Sequence, residues 1–293
     1  MRQLTIEQKQ EIQQRLAEYT KRFSTQTKAA NSLKGTSGAT VNAILMGKFE
    51  NISDSMFLNI RTQIDAMRLD GWQLCTTAAY RDMNTLMQDA QHYQNVTWVV
   101  GPAGIGKTTA ATLYARENRN VFMLLCSEDM HKADFIHELA RKIGIRTDGL
   151  TVRETLAAIT TELITLDHPL LIFDEGDKLT DSVMYYFISL YNALEDKCGM
   201  MFLSTPYIKR RMDRGLKLDK KGYDEMHSRI CRRFVDLTSV TAHEVVAMCR
   251  ANGLQDERDI ERVVSDSSAC GYDLRRVKKA VHKQRRIATE TRL

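Results

Sequence analysis

Residues Gly101, Pro102, Ala103, Gly104, Ile105, Gly106, Lys107 and Thr108 form a full match to the pattern GxxxxGK[ST]. The apolar run Val96–Val100 precedes it and an amphipathic stretch opens at Lys107, so it sits where a strand turns into a helix. In that setting the glycines let the backbone turn tightly and aim successive N–H groups at a phosphate, and the helix N-terminus adds its positive end. Lys107 is placed to reach the β- and γ-phosphates of a nucleotide and the Thr108 hydroxyl to bind Mg2+, with Thr109 extending the cradle. A second pattern, Leu170-Leu-Ile-Phe-Asp174-Glu175, is an apolar strand ending in two carboxylates. Taken alone, such a pair is as easily a solvated turn. Behind a P-loop it becomes the other half of a phosphate site, in which Asp174 holds Mg2+ through water and Glu175 polarises the attacking water as general base. The chemistry expected of these residues is ATP hydrolysis with Mg2+ as cofactor.

Bringing both patterns to one edge requires a parallel sheet, and the middle of the chain has its rhythm. Strand candidates at Val96–Val100, Val121–Cys126, Leu170–Asp174, Gly199–Thr205 and Phe234–Leu237 alternate with amphipathic stretches near 107–118, 132–143, 152–166 and 181–197. All three prolines, Pro102, Pro169 and Pro206, fall in this middle section, so both ends are expected to be mainly helical. With 43% apolar and 27% charged residues the composition is that of a globular protein, which excludes disordered, collagenous and disulfide-scaffold classes. No apolar run approaches the ~18–20 residues a membrane helix needs. Met1–Tyr19 lacks an apolar core for a signal peptide, and a cytoplasmic protein is expected. The six cysteines have no metal spacing and are expected to be reduced core thiols. The net charge of +5 hides an asymmetry: residues 1–70 carry +3, residues 71–206 carry −6 and residues 207–293 carry +8. Basic ends around an acidic middle suggest a polyanionic partner, although solvated helix faces account for most single charges.

Across roughly residues 75–290 the chain resembles the AAA+ ATPases, on GPAGIGKT at 101–108, the Asp174-Glu175 strand and the complete strand–helix unit (121–143) between them. The resemblance implies an α/β P-loop core with a five-stranded parallel sheet and a small C-terminal helical lid. It implies a polar sensor at the end of Met200-Met-Phe-Leu-Ser204-Thr205, with Thr205 preferred and Ser204 as the alternative. It implies an arginine reaching a neighbour's ATP from Ser228-Arg229-Ile-Cys-Arg232-Arg233, with Arg229 preferred over Arg232. Gly271-Tyr-Asp-Leu-Arg275-Arg276 resembles the second-sensor helix, leaving Arg275 and Arg276 as alternatives for the nucleotide contact.

Residues 24–60 resemble a phage-repressor-type helix-turn-helix domain: small Ala29 and Ala30, a break at Gly35, then a helix turning Val41, Ile44 and Leu45 inward. A further helix from Ser53 to Met67 is expected to bury Met56, Ile60 and Ile64. The recognition helix presents Ser37, Thr40, Asn42 and Lys48 to DNA, and its lack of earlier cations favours phosphate contacts over base readout. The predicted organisation is a helix-turn-helix domain at 1–70, a linker and lead-in helix at 71–92 closing over the adenine, an α/β core at 93–238 and a lid at 239–293.

In order and spacing, the helix-turn-helix, the P-loop, LLIFDEGDKL at 170–179, MMFLSTP at 200–206 and HSRICRRF at 227–234 resemble the phage Mu B protein family. The resemblance implies a homo-oligomer or filament formed with ATP on double-stranded DNA, without strong sequence preference, that brings a transposase to that DNA. It also places DNA contacts after the second strand, where Lys132, Arg146 and Arg153 are the basic candidates. Two other functions fit the same motifs. One is a helicase-loading ATPase acting on single strands, and the other is a regulator in which ATP sets oligomeric state while the helix-turn-helix reads an operator.

Overall fold

The structure, a computed structural model, describes residues 4–64 and 72–290. The linker start expected at Asp70-Gly71 and the end of the helix expected to reach Met67 lie outside the described residues. Four helices open the chain: α1 (Ile6–Thr20), α2 (Gln26–Asn31), α3 (Gly38–Leu45) and α4 (Asp54–Ile64). Thr5 and Gln8 close a capping box at the start of α1, and Thr25 and Ser37 cap α2 and α3 through their hydroxyls. Ile12, Leu16, Ala30, Val41, Ile44, Phe57 and Ile60 form their common core. On α4 Ile60 is buried as expected and Ile64, like Leu45 of α3, is only partly covered; one turn before Ile60 the buried residue is Phe57 rather than Met56, which is only partly covered. Both stand one turn before Ile60, and the larger ring takes the centre, edge-on to Phe49 at 5.4 Å.

The lead-in helix α5 (Ala78–Tyr93) runs into β1 (Val96–Val100), α6 (Lys107–Glu117), β2 (Val121–Leu125), α7 (Lys132–Ile143), α8 (Val152–Ile164) and β3 (Leu170–Asp174). A short 3-10 turn follows, then α9 (Asp181–Leu194), β4 (Gly199–Ser204), α10 (Tyr207–Lys217), α11 (Tyr223–Arg229) and β5 (Phe234–Asp236). The lid is α12 (Ala242–Ala251), α13 (Glu257–Ser268) and α14 (Leu274–Glu290). The five strands are parallel in the order β2-β3-β4-β1-β5. Helices α10 and α11 occupy a stretch for which the sequence predicted no element.

Strands β3 and β4 are buried along their whole length, which is why they read as unbroken apolar runs. Their side chains alternate between two cores. Trp98, Leu171, Phe173, Met200 and Phe202 face α7–α11, whereas Val99, Leu170, Ile172, Met201 and Leu203 face α5, α6 and the lid. On the first face Trp98, Phe202, Phe173 and Phe135 stack in series, with centroids 4.4, 4.9 and 5.6 Å apart. Each such contact adds about 0.5–1.5 kcal/mol beyond buried area and locks the strands that carry the site.

The N-terminal helices dock on the end of the core away from the strand C-termini. There α6 and α7 finish and expose carbonyls that their own turns cannot satisfy. Arg22 donates to the Ala115 carbonyl (2.9 Å), Asn31 to the Gly144 carbonyl (3.1 Å), and Arg141 returns a bond to the Ser32 carbonyl (3.0 Å). Lys28 pairs with Glu162, and Phe23 tilts against Phe122. Among the cysteines, Cys126, Cys198 and Cys249 are core thiols as expected, but Cys231 and Cys270 are exposed because they stand in the turns after α11 and α13. No described helix is long and apolar enough to cross a membrane.

Candidate nucleotide site

The P-loop leaves β1 beside β4, where the Gly101 N–H donates to the Ser204 carbonyl at 3.2 Å. Gly104 and Gly106 take φ of +77° and +104°, the left-handed region that a Cβ disfavours. Gly104 is doubly constrained, since a Cβ there would lie 2.1 Å from the Asp273 carboxylate of the lid. Gly106 caps α6 without a side chain, so the first-turn N–H groups remain free to meet an anion. Lys107 curls onto the loop and donates to the carbonyls of Gly101 (2.6 Å) and Pro102 (3.0 Å). Burial lowers its pKa, with Asp174 pulling the other way.

Strand β3 delivers Asp174 to the same edge, opposite Leu203 of β4. The Thr108 hydroxyl donates to Asp174 Oδ2 at 2.7 Å, and the Glu175 N–H donates to Oδ1 at 3.0 Å. Burial raises the Asp174 pKa despite these two bonds, so the carboxylate lacks a full counter-charge. A divalent cation would supply it. Among the described residues no three His, Cys, Asp or Glu side chains are arranged to hold a metal. A hydroxyl and one carboxylate beside a phosphate loop suit Mg2+, which keeps waters and shares ligation with phosphates. The residues present therefore fit ATP and Mg2+.

Glu175 takes a left-handed backbone (φ +55°), a strain of about 1–2 kcal/mol for a residue with a side chain. Its carboxylate pairs with Lys178 at 2.5 Å. At the end of β4, Thr205 donates to Asp177 at 2.6 Å, whereas the Ser204 hydroxyl is buried and accepts the Trp98 indole N–H at 2.7 Å. Thr205 and Asp177 both line the cleft. Behind them Arg211 of α10 donates to the carbonyls of Asp177 (3.0 Å) and Leu179 (2.6 Å) and to Asp181 (2.6 Å). It thereby fixes the turn that follows Glu175.

The cleft encloses about 560 Å3, room for a nucleotide. Its far wall is the strap 72–77 with Tyr80 and Met248, and Arg275 and Lys278 of α14 close it from the lid. Arg276 points elsewhere, donating to Asp266 at 2.7 Å. Asn252, buried, clamps the strap by accepting from the Gln73 N–H (2.8 Å) and donating to the Gln73 carbonyl (2.9 Å). The Leu274 N–H meets the Gly104 carbonyl at 3.0 Å, so the lid rests directly on the P-loop. Asp177, Lys178, Asn252, Asp273 and Lys278 were missed from sequence. Only Asp177 and Lys178 carried a signal, as the charged continuation of the Asp-Glu strand.

The remaining sequence candidates lie outside this cleft. Arg229, the last residue of α11, donates to Asn192 (2.8 Å) and the Glu225 carbonyl and covers the Tyr191 ring, while Arg232 is more exposed and meets Asp224 at 3.0 Å. Ser37 and Thr40 are joined in the cap of α3. Asn42 and Lys48 are exposed. Lys132, Arg146 and Arg153 are exposed too, but Lys132 and Arg146 stand at opposite ends of α7, about 18 Å of helix apart. Arg146 pairs with Asp148 at 3.3 Å.

A family model described as an AAA domain (AAA_22) matches residues 90–212, which span β1 to β4 and include the P-loop and the Asp174-Glu175 pair. The Mu-like prophage FluMu DNA transposition protein B of Haemophilus influenzae is 23% identical over 202 residues, 68% of either chain. Among solved structures, the Aeropyrum pernix Orc1 protein in complex with DNA superposes with a TM-score of 0.51 and 16% identity, over 68% of this chain and 56% of its own. Drosophila ORC bound to DNA gives 0.50 and 12% identity, over 76% of this chain and 60% of its own. This chain thus spans less than two thirds of either origin-recognition chain, and those two likenesses speak for the fold alone. An AAA domain across the sheet and a likeness to a transposition protein B across two thirds of the sequence agree with each other and with the P-loop geometry: the chain carries an AAA domain and is similar to Mu-like transposition protein B.

Proposed function

We propose that this protein binds and hydrolyses ATP with Mg2+, assembles in its ATP form on double-stranded DNA with little sequence preference, and delivers that DNA to a DDE transposase. The first half is carried by one observation: Thr108 and Asp174 meet at 2.7 Å at the N-terminus of the P-loop helix, one residue from Glu175. Lys107 would exchange its two loop carbonyls for the β- and γ-phosphates, while the Gly104–Thr108 N–H groups take the β-phosphate. Thr108 would hold Mg2+ directly and Asp174 through water, and the bound ion would offset charge shared between the phosphates. Glu175 acts as base once its carboxylate swings from Lys178 toward a water, and Thr205 orients that water or the γ-phosphate. Arg275 reaches the phosphates from the lid. Arg229 lies outside its own cleft, and Arg229, with Arg232 as the alternative, would serve the ATP of a neighbouring protomer and make turnover depend on assembly.

The second half rests on the likeness to a protein named for DNA transposition, supported by the basic C-terminal section; the lack of charged residues on α3 speaks for little sequence preference rather than for binding itself. The work would be done in the cytoplasm, at the nucleoid. Electron microscopy of the protein with duplex DNA and ATP, ADP or no nucleotide tests the reading. ATP-dependent helical filaments on arbitrary duplex are expected. A preference for single strands would favour a helicase loader, a footprint at one operator would favour a regulator, and either would overturn the target-delivery reading.

A further inference from the structure

The segment 207–221 carries seven Lys or Arg against two Asp, a net +5 in fifteen residues. It forms α10 and the turn into α11, and the two helices enclose a cavity of about 400 Å3 lined by Tyr207, Arg210, Arg211, Arg214, Lys220 and Tyr223. Its floor is charge-balanced. Tyr223 is buried and donates to Asp181 at 2.8 Å, and Arg211 donates to the same carboxylate. Burial alone would raise the Asp181 carboxyl, but these bonds more than offset it and leave it below the usual range. Gly215 makes the floor possible: a Cβ there would lie 2.0 Å from the Tyr223 ring.

The walls are not balanced. Arg210 and Arg214 are exposed and have no carboxylate partner among the described residues, and neither does Lys217 beyond them. These three recur at i, i+4 and i+7, which puts them on one face of α10 with about 5–6 Å between successive side chains. A row of evenly spaced cations matches a row of evenly spaced anions better than one carboxylate. Guanidinium forks match phosphate oxygens two at a time. Tyr207, 51% exposed with the Arg210 guanidinium 5.8 Å over its ring, adds a flat face beside the row where a sugar or base edge would lie.

We propose that this cavity is a phosphate-backbone site for duplex DNA, in which Arg210 and Arg214 hold successive phosphates and Lys217 and Lys220 flank them. The site rests on the DNA half of the proposed function, and it differs from both α3 and the surface after β2, where sequence reasoning had put the contacts.

The test compares wild type, Arg210→Gln/Arg214→Gln and the charge-matched control Arg258→Gln/Arg262→Gln on α13, each full-length and with ATP. Fluorescence anisotropy on a labelled duplex is followed as salt is raised, and thermal melting checks that the variants fold. For the cavity variant the slope of log affinity against log salt should become shallower by about two charges, with roughly tenfold weaker binding at low salt. The control should keep the wild-type slope. A cavity variant that binds duplex as wild type does, or a control that loses as much, overturns the site while leaving the DNA reading intact. A cavity variant that keeps its duplex slope but no longer binds poly-glutamate assigns the cavity to an acidic protein segment and also overturns it. Wild type that fails to bind duplex defeats the reading beneath it.

Discussion

In the cleft, the groups proposed to meet phosphate belong mostly to the backbone: the N–H groups of a loop whose glycines hold φ of +77° and +104°, and the open first turn of α6. On α3 the equivalent groups are side chains, and two of the four are already in use. Ser37 accepts the Thr40 N–H and pairs with its hydroxyl, which starts the helix and leaves Asn42 and Lys48 as its polar outward groups. A backbone cradle costs no side-chain entropy and is fixed before the ligand arrives. A side-chain surface must first be spared from holding its own helix together. The cleft is therefore expected to tolerate almost no change in chemistry, and α3 a good deal.

The sharpest consequence falls on Glu175. Replacing it with Gln keeps the shape and removes the carboxylate proposed as the base. ATP turnover should fall by about 10³-fold with nucleotide affinity within a few-fold of wild type, as read by a steady-state phosphate-release assay and by fluorescent-nucleotide titration. Full turnover in Glu175→Gln would move the base to Asp177, the carboxylate that accepts the Thr205 hydroxyl.

The cleft was legible in the sequence to the extent that local geometry forces residue type. A loop that needs left-handed backbone needs glycines at set intervals, and a strand buried on both faces needs an unbroken apolar run ending where the carboxylates begin. All five strands stand where those runs predicted, with ends moved by at most one residue. What could not be read were partners contributed from afar. Asn252 meets Gln73 across 179 positions, and Asp273 packs on Gly104 across 169, and neither pair leaves a local pattern. Phe57 and Met56 lie on neighbouring parts of one helix face, and only packing against Phe49 decides between them. The charges of 207–221 were visible only as part of a C-terminal excess, because nothing in their spacing announced that α11 would fold back to wall a cavity with them.

A smaller effect separates function from stability at Asp174. Its folded-state pKa is raised by burial, so the folded protein holds this proton more tightly than the unfolded chain does. Without Mg2+, the contribution of Asp174 to stability is greatest below the ordinary carboxylate range and is lost as pH rises from there through the raised folded value. Asp174→Asn removes the buried charge and can still accept the Glu175 N–H. At neutral pH without Mg2+ it should be more stable than wild type by on the order of 1 kcal/mol, and the difference should shrink as pH falls through that window. In parallel it should lose the extra melting temperature that Mg2+ and ATP together give wild type. Calorimetry across pH, with and without Mg2+ and nucleotide, reads both, and an Asn variant less stable than wild type at neutral pH would mean that the Thr108 bond outweighs the buried charge.

The smallest effect is expected on α3. Asn42 is exposed and, among the described residues, its side chain meets Gln26 at 3.5 Å, while Lys48 stands beyond the helix end. If α3 read bases, losing Asn42 would cost about 1–3 kcal/mol on a preferred sequence and little on others. If the domain meets only backbone, Asn42→Ala with Lys48→Ala should weaken duplex binding by no more than about two- to threefold, equally for unrelated sequences, and should lower the salt slope by about one charge. Anisotropy on a panel of duplexes of differing composition separates these outcomes. A loss confined to one sequence would return α3 to operator reading. A uniform small loss would leave the N-terminal helices as a body held against the ends of α6, α7 and α8 by Arg22, Asn31 and Lys28, at the far side of the sheet from the nucleotide.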